Sequence, residues 1–295
     1  MKQVIRIGSR DSLLAVAQTK LVMEQIQRCN PDLRLELVTM KTTGDRILNK
    51  SLDQVGGKGL FVKELDDALL EEKVDLTIHS LKDVPMEINP DLPLVAMPQR
   101  GDPRDALVLP EKQEFSCTEE KIGTSSLRRK LQLTKLYDQP GFDLVRGNII
   151  TRLNKLDAGN YSALVLAAAG LERVGLGHRI SRLFDPVDEM IPPAGQAILA
   201  VQGRKGEDYS FLEPVNDPVS QIMAQAERGF VTALNGGCSS PVAAYAQVHR
   251  TEVKLTGLYY DEPSGEYSID CITGSTEEAQ KLGIALAEKM KQEWK

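Results

Sequence analysis

Strand and helix signals alternate along the first two hundred residues of this chain, and the alternation restarts after Pro98. That pattern leaves few fold classes open. Alternating strands and helices bury their apolar faces best as helices laid on mostly parallel sheets. Val4 to Ile7 is an apolar strand. Asp11 or Ser12 can cap a helix to about Cys29, with Leu14, Ala17, Leu21, Val22 and Ile26 on one stripe, and Asn30-Pro31 stops it. Leu33 to Met40 alternates as a half-buried strand does, 61–72 is a short amphipathic helix and 74–78 a strand. In the second round 106–109 and 121–123 read as strands, 125–137 as a helix, Leu144-Val145 as a strand end, 148–156 as a helix and 163–166 as a buried strand. Ile198 to Val201 is one more strand signal after that unit is complete, and it can return to the first unit. Two α/β units joined twice, near 97–105 and 191–203, make a hinged cleft, where ligands of open α/β sheets bind at strand carboxyl ends.

From Pro218 the pattern changes. A helix runs to about Leu234, and Asn235-Gly236-Gly237 ends it. Strand-like runs at 242–248, 252–259 and 266–273 follow, and Ser275-x-x-Glu278 reads as a capping box opening a last helix to Lys291. This is a small α+β domain.

The bulk numbers exclude several classes. No apolar run approaches the ~18–20 residues that span a bilayer, and the N-terminus lacks the apolar core of a signal peptide, so a cytoplasmic protein is expected. A pI near 5.3 argues against general nucleic-acid binding. Cys29, Cys117, Cys238 and Cys271 show no C-x-x-C spacing and the three histidines are scattered, so neither a metal site nor a disulfide framework is expected. Cys29 and Cys271, in a helix and a strand, are expected to be buried as small hydrophobes.

Against this acidic background one block is basic. Lys121 to Lys155 holds eight Lys/Arg and two acids, net +6, while the chain is −6, so the remainder carries −12. Arg128 and Arg129 follow Gly123-Thr124-Ser125-Ser126, and Arg146 precedes Gly147-Asn148. Small flexible segments of this kind sit at strand-to-helix turns, where backbone N–H groups already favour anions, and guanidinium forks bind carboxylate or phosphate in pairs. The expectation is a pocket for a small polyanion.

Two further residues stand out. Asp83, in His79-Ser80-Leu81-Lys82-Asp83-Val84-Pro85, follows a strand directly, the position of catalytic groups in this architecture, although an Asp before a Pro-terminated loop is also an ordinary turn former. Cys238, between Gly236-Gly237 and Ser239-Ser240-Pro241, sits on a loop that can present a thiol, or it can be a buried small hydrophobe. Gly56-Gly57-Lys58-Gly59 fails the phosphate-loop pattern and reads better as a mobile flap.

Taken together, these segments resemble the porphobilinogen deaminase family. The matching pieces are Arg6 to Ser12, Val55 to Phe61, His79 to Pro85, Gly123 to Arg129, Arg146-Gly147-Asn148, Thr151-Arg152-Leu153, Ala168 to Leu171, Gly195-Gln196 and Gly236-Gly237-Cys238. They run in order from residue 6 to 241, and the tail beyond is similar only in general character. Ala197 stands where the family usually has Gly, Gln202 and Gly203 where Glu and Cys are common, Gln54 where Lys is frequent, and Ser239-Ser240 where Gln-Val is usual.

The resemblance implies an α/β fold of three domains, two resembling type-II periplasmic binding protein lobes plus a small α+β C-terminal domain. Their expected bounds are 1–98 with 194–216, 99–193 and 217–295. It implies a monomeric enzyme condensing four porphobilinogens head to tail, with loss of ammonia, into hydroxymethylbilane. It implies a dipyrromethane cofactor joined by a thioether to Cys238, with Asp83 as the catalytic carboxylate. Arg10, Ser12, Lys82, Thr124, Ser126, Arg128, Arg129, Arg146, Arg152, Arg173 and Gln196 would bind the acidic side chains of cofactor and substrate, and Gly56, Gly57, Lys58 and Phe61 would form the flap. Two other readings stay open on the residues alone. An anion-binding module would need the arginines but not Asp83 or Cys238, and a cysteine acyl transferase would need a histidine beside Cys238.

Overall fold

Short strands set the framework, and the central strand of each five-stranded sheet is buried along nearly its whole length. The computed structural model describes residues 4–42, 62–111, 121–138, 140–236 and 241–293. In chain order the first elements are β1 (Val4–Arg10), α1 (Leu13–Cys29), β2 (Arg34–Met40), α2 (Lys63–Leu70), β3 (Leu76–Ser80) and β4 (Leu94–Ala96). There follow β5 (Asp105–Val108), β6 (Lys121–Gly123), α3 (Leu127–Leu136), β7 (Gly141–Asp143), α4 (Ile149–Asp157), β8 (Ala163–Ala167), α5 (Ala168–Arg173) and β9 (Arg182–Leu183). The last are β10 (Leu199–Gly203), α6 (Pro218–Ala233), β11 (Ala243–His249), β12 (Glu252–Asp261), β13 (Glu266–Ser275) and α7 (Ala279–Gln292). They fall into two compact units, Met1–Gly101 with Ala197–Gln221 and Asp102–Gln196 with Ile222–Lys295.

The first unit holds a five-stranded sheet in the order β2-β1-β3-β10-β4. β1 runs parallel to β2 and β3, and β10 is antiparallel to β3 and β4. β10 is the return strand expected from Ile198 to Val201, found one residue later. Ile5 and Ile7 of β1, Leu76 and Ile78 of β3 and Leu199 and Val201 of β10 pack on Val22 and Ile26 of α1. Ser12 caps α1 by accepting a hydrogen bond from the Ala15 amide at 3.3 Å. The buried stripe of α1 differs from the expected one. It runs through Gln18, Thr19, Val22 and Ile26, and Leu21 is 38% exposed. Thr19 can be buried there because its hydroxyl donates to the Ala15 carbonyl at 2.9 Å.

The second unit repeats the plan with its own five strands, β7-β6-β8-β5-β9. β6 is parallel to β7 and β8, and β5 is antiparallel to β8 and β9. Each of the two sheets thus has three parallel strands, then one antiparallel strand laid down where the chain has just entered that unit. β5 and β8 are buried along nearly their whole length. One face packs Ala106, Val108, Leu164 and Leu166 on Leu153, Leu156 and Leu171, and the other packs Leu107, Ile122 and Val165 on Leu133, Phe184 and Met190. Strands covered on both faces read as unbroken apolar runs, as 163–166 did. The strand end expected at Leu144-Val145 is instead the loop after β7, with Leu144 59% exposed and Val145 buried.

The same unit carries a three-stranded antiparallel meander, β11-β12-β13, with α6 and α7 beside it. A Cβ on Gly257 of β12 would meet the Phe230 ring of α6 at 2.5 Å, so only glycine lets that ring lie on the strand. The expected capping box at the last helix is incomplete. Ser275 accepts from the Glu277 amide and caps a single 3-10 turn, Thr276–Glu278, before α7 begins at Ala279. Cys29 and Cys271 are both exposed, contrary to the expectation of burial. Cys29 is the last residue of α1, past its buried stripe, and Cys271 points outward on β13, whose burial alternates.

Candidate active site

In the first unit β1, β2 and β3 are parallel, so their carboxyl ends share one edge of the sheet. β1 ends at Arg10, and the next residue, Asp11, donates its amide to Met40 at the end of β2, 3.0 Å away. β3 ends at Ser80 and passes into a 3-10 turn, Leu81–Asp83. That turn is pinned by the Leu81 amide on the Ile198 carbonyl (2.9 Å) and by full burial of the Leu81 side chain. The Gln18 amide on α1 donates to Ser80 Oγ at 2.9 Å and accepts from it at 3.2 Å. Arg10, Ser12, Lys82 and Asp83, seventy residues apart in sequence, therefore lie along one edge, all partly exposed. Beneath them His79 is buried with Nε2 2.8 Å from Thr77 Oγ1. Burial, helped by the charge of Arg10, pushes this imidazole down to about 4, despite a hydrogen bond with Gln202. Gln202, which stands where Glu is common in the family, is a neutral partner to this ring.

In the second unit the carboxyl edge of the parallel strands gathers the basic block. Thr124, Ser126, Arg128 and Arg129 follow β6, Arg146 follows β7, Arg152 lies on α4, and Arg173 ends α5, which follows β8. Ser126 caps α3 through the Arg129 amide (3.4 Å), and Asn148 caps α4 through the Thr151 amide (2.9 Å). Local capping thus fixes where the arginine-bearing helices begin.

The arginines are not equivalent. Asp105, the first residue of β5, is fully buried and was not singled out by the sequence. Its carboxylate accepts from Arg128 Nη2 and Arg129 Nη2, each at 2.7 Å, from Arg129 Nε at 3.2 Å and from Gln196 Nε2 at 3.2 Å. Burial alone would raise the Asp105 carboxyl, but Arg128 and Arg129 together hold it far below the ordinary carboxylate range. Arg128 also donates to the Ile191 carbonyl and Arg129 to the Val165 carbonyl, each at 2.7 Å. One acid from outside the basic block therefore neutralises part of it. The signal was available: a charged residue opening a strand buried on both faces must find partners.

Arg152 is the contrast. It is partly buried, and among the described residues its hydrogen bond is from Nε to the Gly147 carbonyl at 2.8 Å, with no acidic partner. Burial, and then the like charges of Arg129 and Arg146, push its guanidinium down to about 10. Burial does the same to Arg173, also to about 10. Gly147 holds a φ of +110°, and a Cβ there would lie 2.8 Å from Thr151 Cβ and Cγ2, so only glycine turns its carbonyl toward Arg152 without strain. A cluster of guanidiniums that repel one another in a partly desolvated place is built for an anion. Gly56, Gly57, Lys58, Phe61 and Cys238 lie outside the described residues.

Comparison with known proteins decides the family. The family model "Porphobilinogen deaminase, dipyromethane cofactor binding domain" matches residues 5–211, and "Porphobilinogen deaminase, C-terminal domain" matches residues 221–292. This chain belongs to the porphobilinogen deaminase family. The deaminase of Ruminiclostridium cellulolyticum is 54% identical over 286 residues, covering 97% of each chain. That of Ruminiclostridium josui is 53% identical, covering 97% of each, and that of Alkaliphilus oremlandii 50% identical, covering 98% of this chain and 97% of the other. The family match reaches through the tail after residue 241, where the sequence alone offered only a general likeness. Among solved structures, the BenM effector binding domain is similar over 73% of this chain and 89% of its own, at 14% identity and a TM-score of 0.43. The family's usual glycine at 197 also has a structural counterpart. Ala197 adopts a φ of +70°, a conformation that favours glycine. No helix among the described residues is long and apolar enough to cross a membrane.

Proposed function

We propose that this chain condenses four porphobilinogen molecules head to tail, releasing ammonia each time, to give hydroxymethylbilane on a dipyrromethane primer held by a thioether to Cys238. Family membership supports the reaction class. The observation that carries the site is Arg152, crowded by Arg129 and Arg146 without an acidic partner among the described residues. Porphobilinogen and dipyrromethane both bear acetate and propionate side chains, and such a donor set fits them: each carboxylate taken from water must be paired. When bound, the cofactor supplies a pyrrole end to which substrate is joined.

In this reading Arg128 and Arg129, oriented by Asp105, together with Thr124, Ser126 and Arg146, hold the cofactor's carboxylates. Arg152 and Arg173 take those of substrate and growing product. Gln196, whose amide is committed to Asp105 and the Pro103 carbonyl, acts through Asp105. Arg10, Ser12 and Lys82 bind carboxylates along the first unit's edge. Asp83 provides a fixed negative charge for the cation left on the substrate when ammonia departs, and preorganisation by its pinned 3-10 turn avoids reorganisation in the transition state. The flap role of Gly56, Gly57, Lys58 and Phe61, a cytoplasmic setting and a monomeric state belong to the same proposal. So do the domain bounds 1–98 with 194–216, 99–193 and 217–295, supported by each sheet falling wholly within one of the three parts.

Mass spectrometry and kinetics test it together. The peptide containing Cys238 should carry two substrate units less two ammonias, and Asp83→Ala should keep that adduct and its fold while turnover falls on the order of 10²–10³. An unmodified protein that still binds porphobilinogen would point to an anion-binding module. An adduct on another cysteine, or an Asp83→Ala variant within a few-fold of wild type, would overturn the assignments.

A further inference from the structure

The segment 191–196 is stitched on both sides. Gln132 of α3 is buried, and its side-chain amide engages both backbone groups of one residue: Oε1 accepts from the Ile191 amide at 2.7 Å and Nε2 donates to the Ile191 carbonyl at 3.1 Å. Arg128, one helical turn earlier, donates to that same carbonyl. The Ile191 side chain is fully buried in another core, against Ala243 of β11 and Leu258 of β12. The next carbonyl, Pro192, accepts from the Ala244 amide of β11 at 3.1 Å. Further on, buried Glu227 of α6 accepts from the Gly195 amide at 2.7 Å with one oxygen and from the Ala246 amide of β11 at 2.8 Å with the other. Gln196 then returns to Asp105.

One short segment thus joins the arginine helix to strand β11. β11 begins at Ala243, five positions after Cys238. A buried side-chain amide that satisfies a backbone donor and acceptor at once costs little desolvation and fixes both distance and orientation. A methionine or leucine would fill the same space without fixing either.

We propose that Gln132 is a positioning residue for this enzyme. Through the Ile191 carbonyl that it shares with Arg128 it fixes β11 and the Arg128 guanidinium relative to one another, and so holds the cluster that takes the cofactor's carboxylates. The inference rests on the reading that Cys238 carries the cofactor. A misplacement of about 1 Å between two reacting groups can cost on the order of 10²-fold in rate.

The test uses the full chain as purified, wild type against Gln132→Met, with Gln132→Leu as a second variant should the first not fold. Hydrogen exchange is read at the Ile191 amide, intact mass gives the fraction of Cys238 loaded, and steady-state kinetics separate kcat from KM. The expected result is a folded variant that has lost protection at Ile191 and whose loading rate or kcat is lower by roughly 10–100-fold, with KM little changed. Lost protection with wild-type loading and kcat would overturn the positioning role and leave Gln132 merely structural. Retained protection would overturn the contact itself. Wild-type protein protected at Ile191 but bare at Cys238 would instead sink the cofactor reading, and the proposal with it.

Discussion

Asp105→Asn changes one atom and should be among the most damaging polar substitutions in the second unit. The carboxylate is fully buried and faces two guanidiniums whose side chains are 5% and 11% exposed. It accepts four hydrogen bonds from Arg128, Arg129 and Gln196, three of them from charged donors. Asparagine keeps one acceptor oxygen, so it can serve the side facing Arg128 or the side facing Arg129 but not both. Its amide group then points two N–H donors at a cation. Removing one partner of a buried charge cluster typically costs about 3–5 kcal/mol, because the charges left behind stay desolvated. For a domain of this size that corresponds to a fall in melting temperature of roughly 6–20 °C. The pH dependence follows in sign. The folded carboxyl is held below its free value of 3.8, so its contribution is fully present above that value and is lost as pH falls through the folded one. Thermal melts of wild type and variant should therefore differ by a constant amount from about pH 5 to 8 and converge in strong acid. A variant that melts within a degree or two of wild type at neutral pH would refute the argument that Asp105 is the counter-ion of this cluster.

Three further outcomes follow from the same geometry. Arg152→Leu should lower kcat/KM about 10–100-fold, as expected for one charged hydrogen bond to a substrate carboxylate, yet leave the melting temperature unchanged or raised, since burial and Arg129 and Arg146 already disfavour its charge; a clear loss of stability would show that the fold itself needs the charge. His79 is held at about 4 against 6.5 when free, so the unfolded chain takes up a proton between these values and the folded chain does not. Wild type should lose up to ~3 kcal/mol relative to His79→Gln as pH drops from 6.5 to 4, and parallel urea-unfolding curves across that range would contradict this. Gly147→Ala must place a methyl against Thr151 at a φ of +110°, and it should cost more than ~1 kcal/mol and impair the reaction through the Arg152 contact, which stability and activity assays on one preparation would show.

What the sequence determined by itself is local. The alternation of strand and helix, the cap at Ser12, the return of β10 and the gathering of arginines beside small, flexible segments all depend on neighbours a few positions away or on the apolar pattern of one segment. These are legible because a cap's partner is three residues off and a buried strand announces itself by composition. The family resemblance rested on motifs of the same short kind. Tertiary structure decided the rest. It brought Arg10 and Asp83 to one sheet edge through strand order, and it chose Asp105 as the acid that faces two basic residues 23 and 24 positions away. It left Cys29 and Cys271 exposed where a helix end and an alternating edge strand turn outward. It gave Gln132 and Glu227 backbone partners in segments that share no sequence signal with them. The physical reason is common to all four. Which charge is neutralised and which side chain is buried depends on the groups that packing places within a few ångströms, and sequence separation does not constrain that distance once the chain has folded.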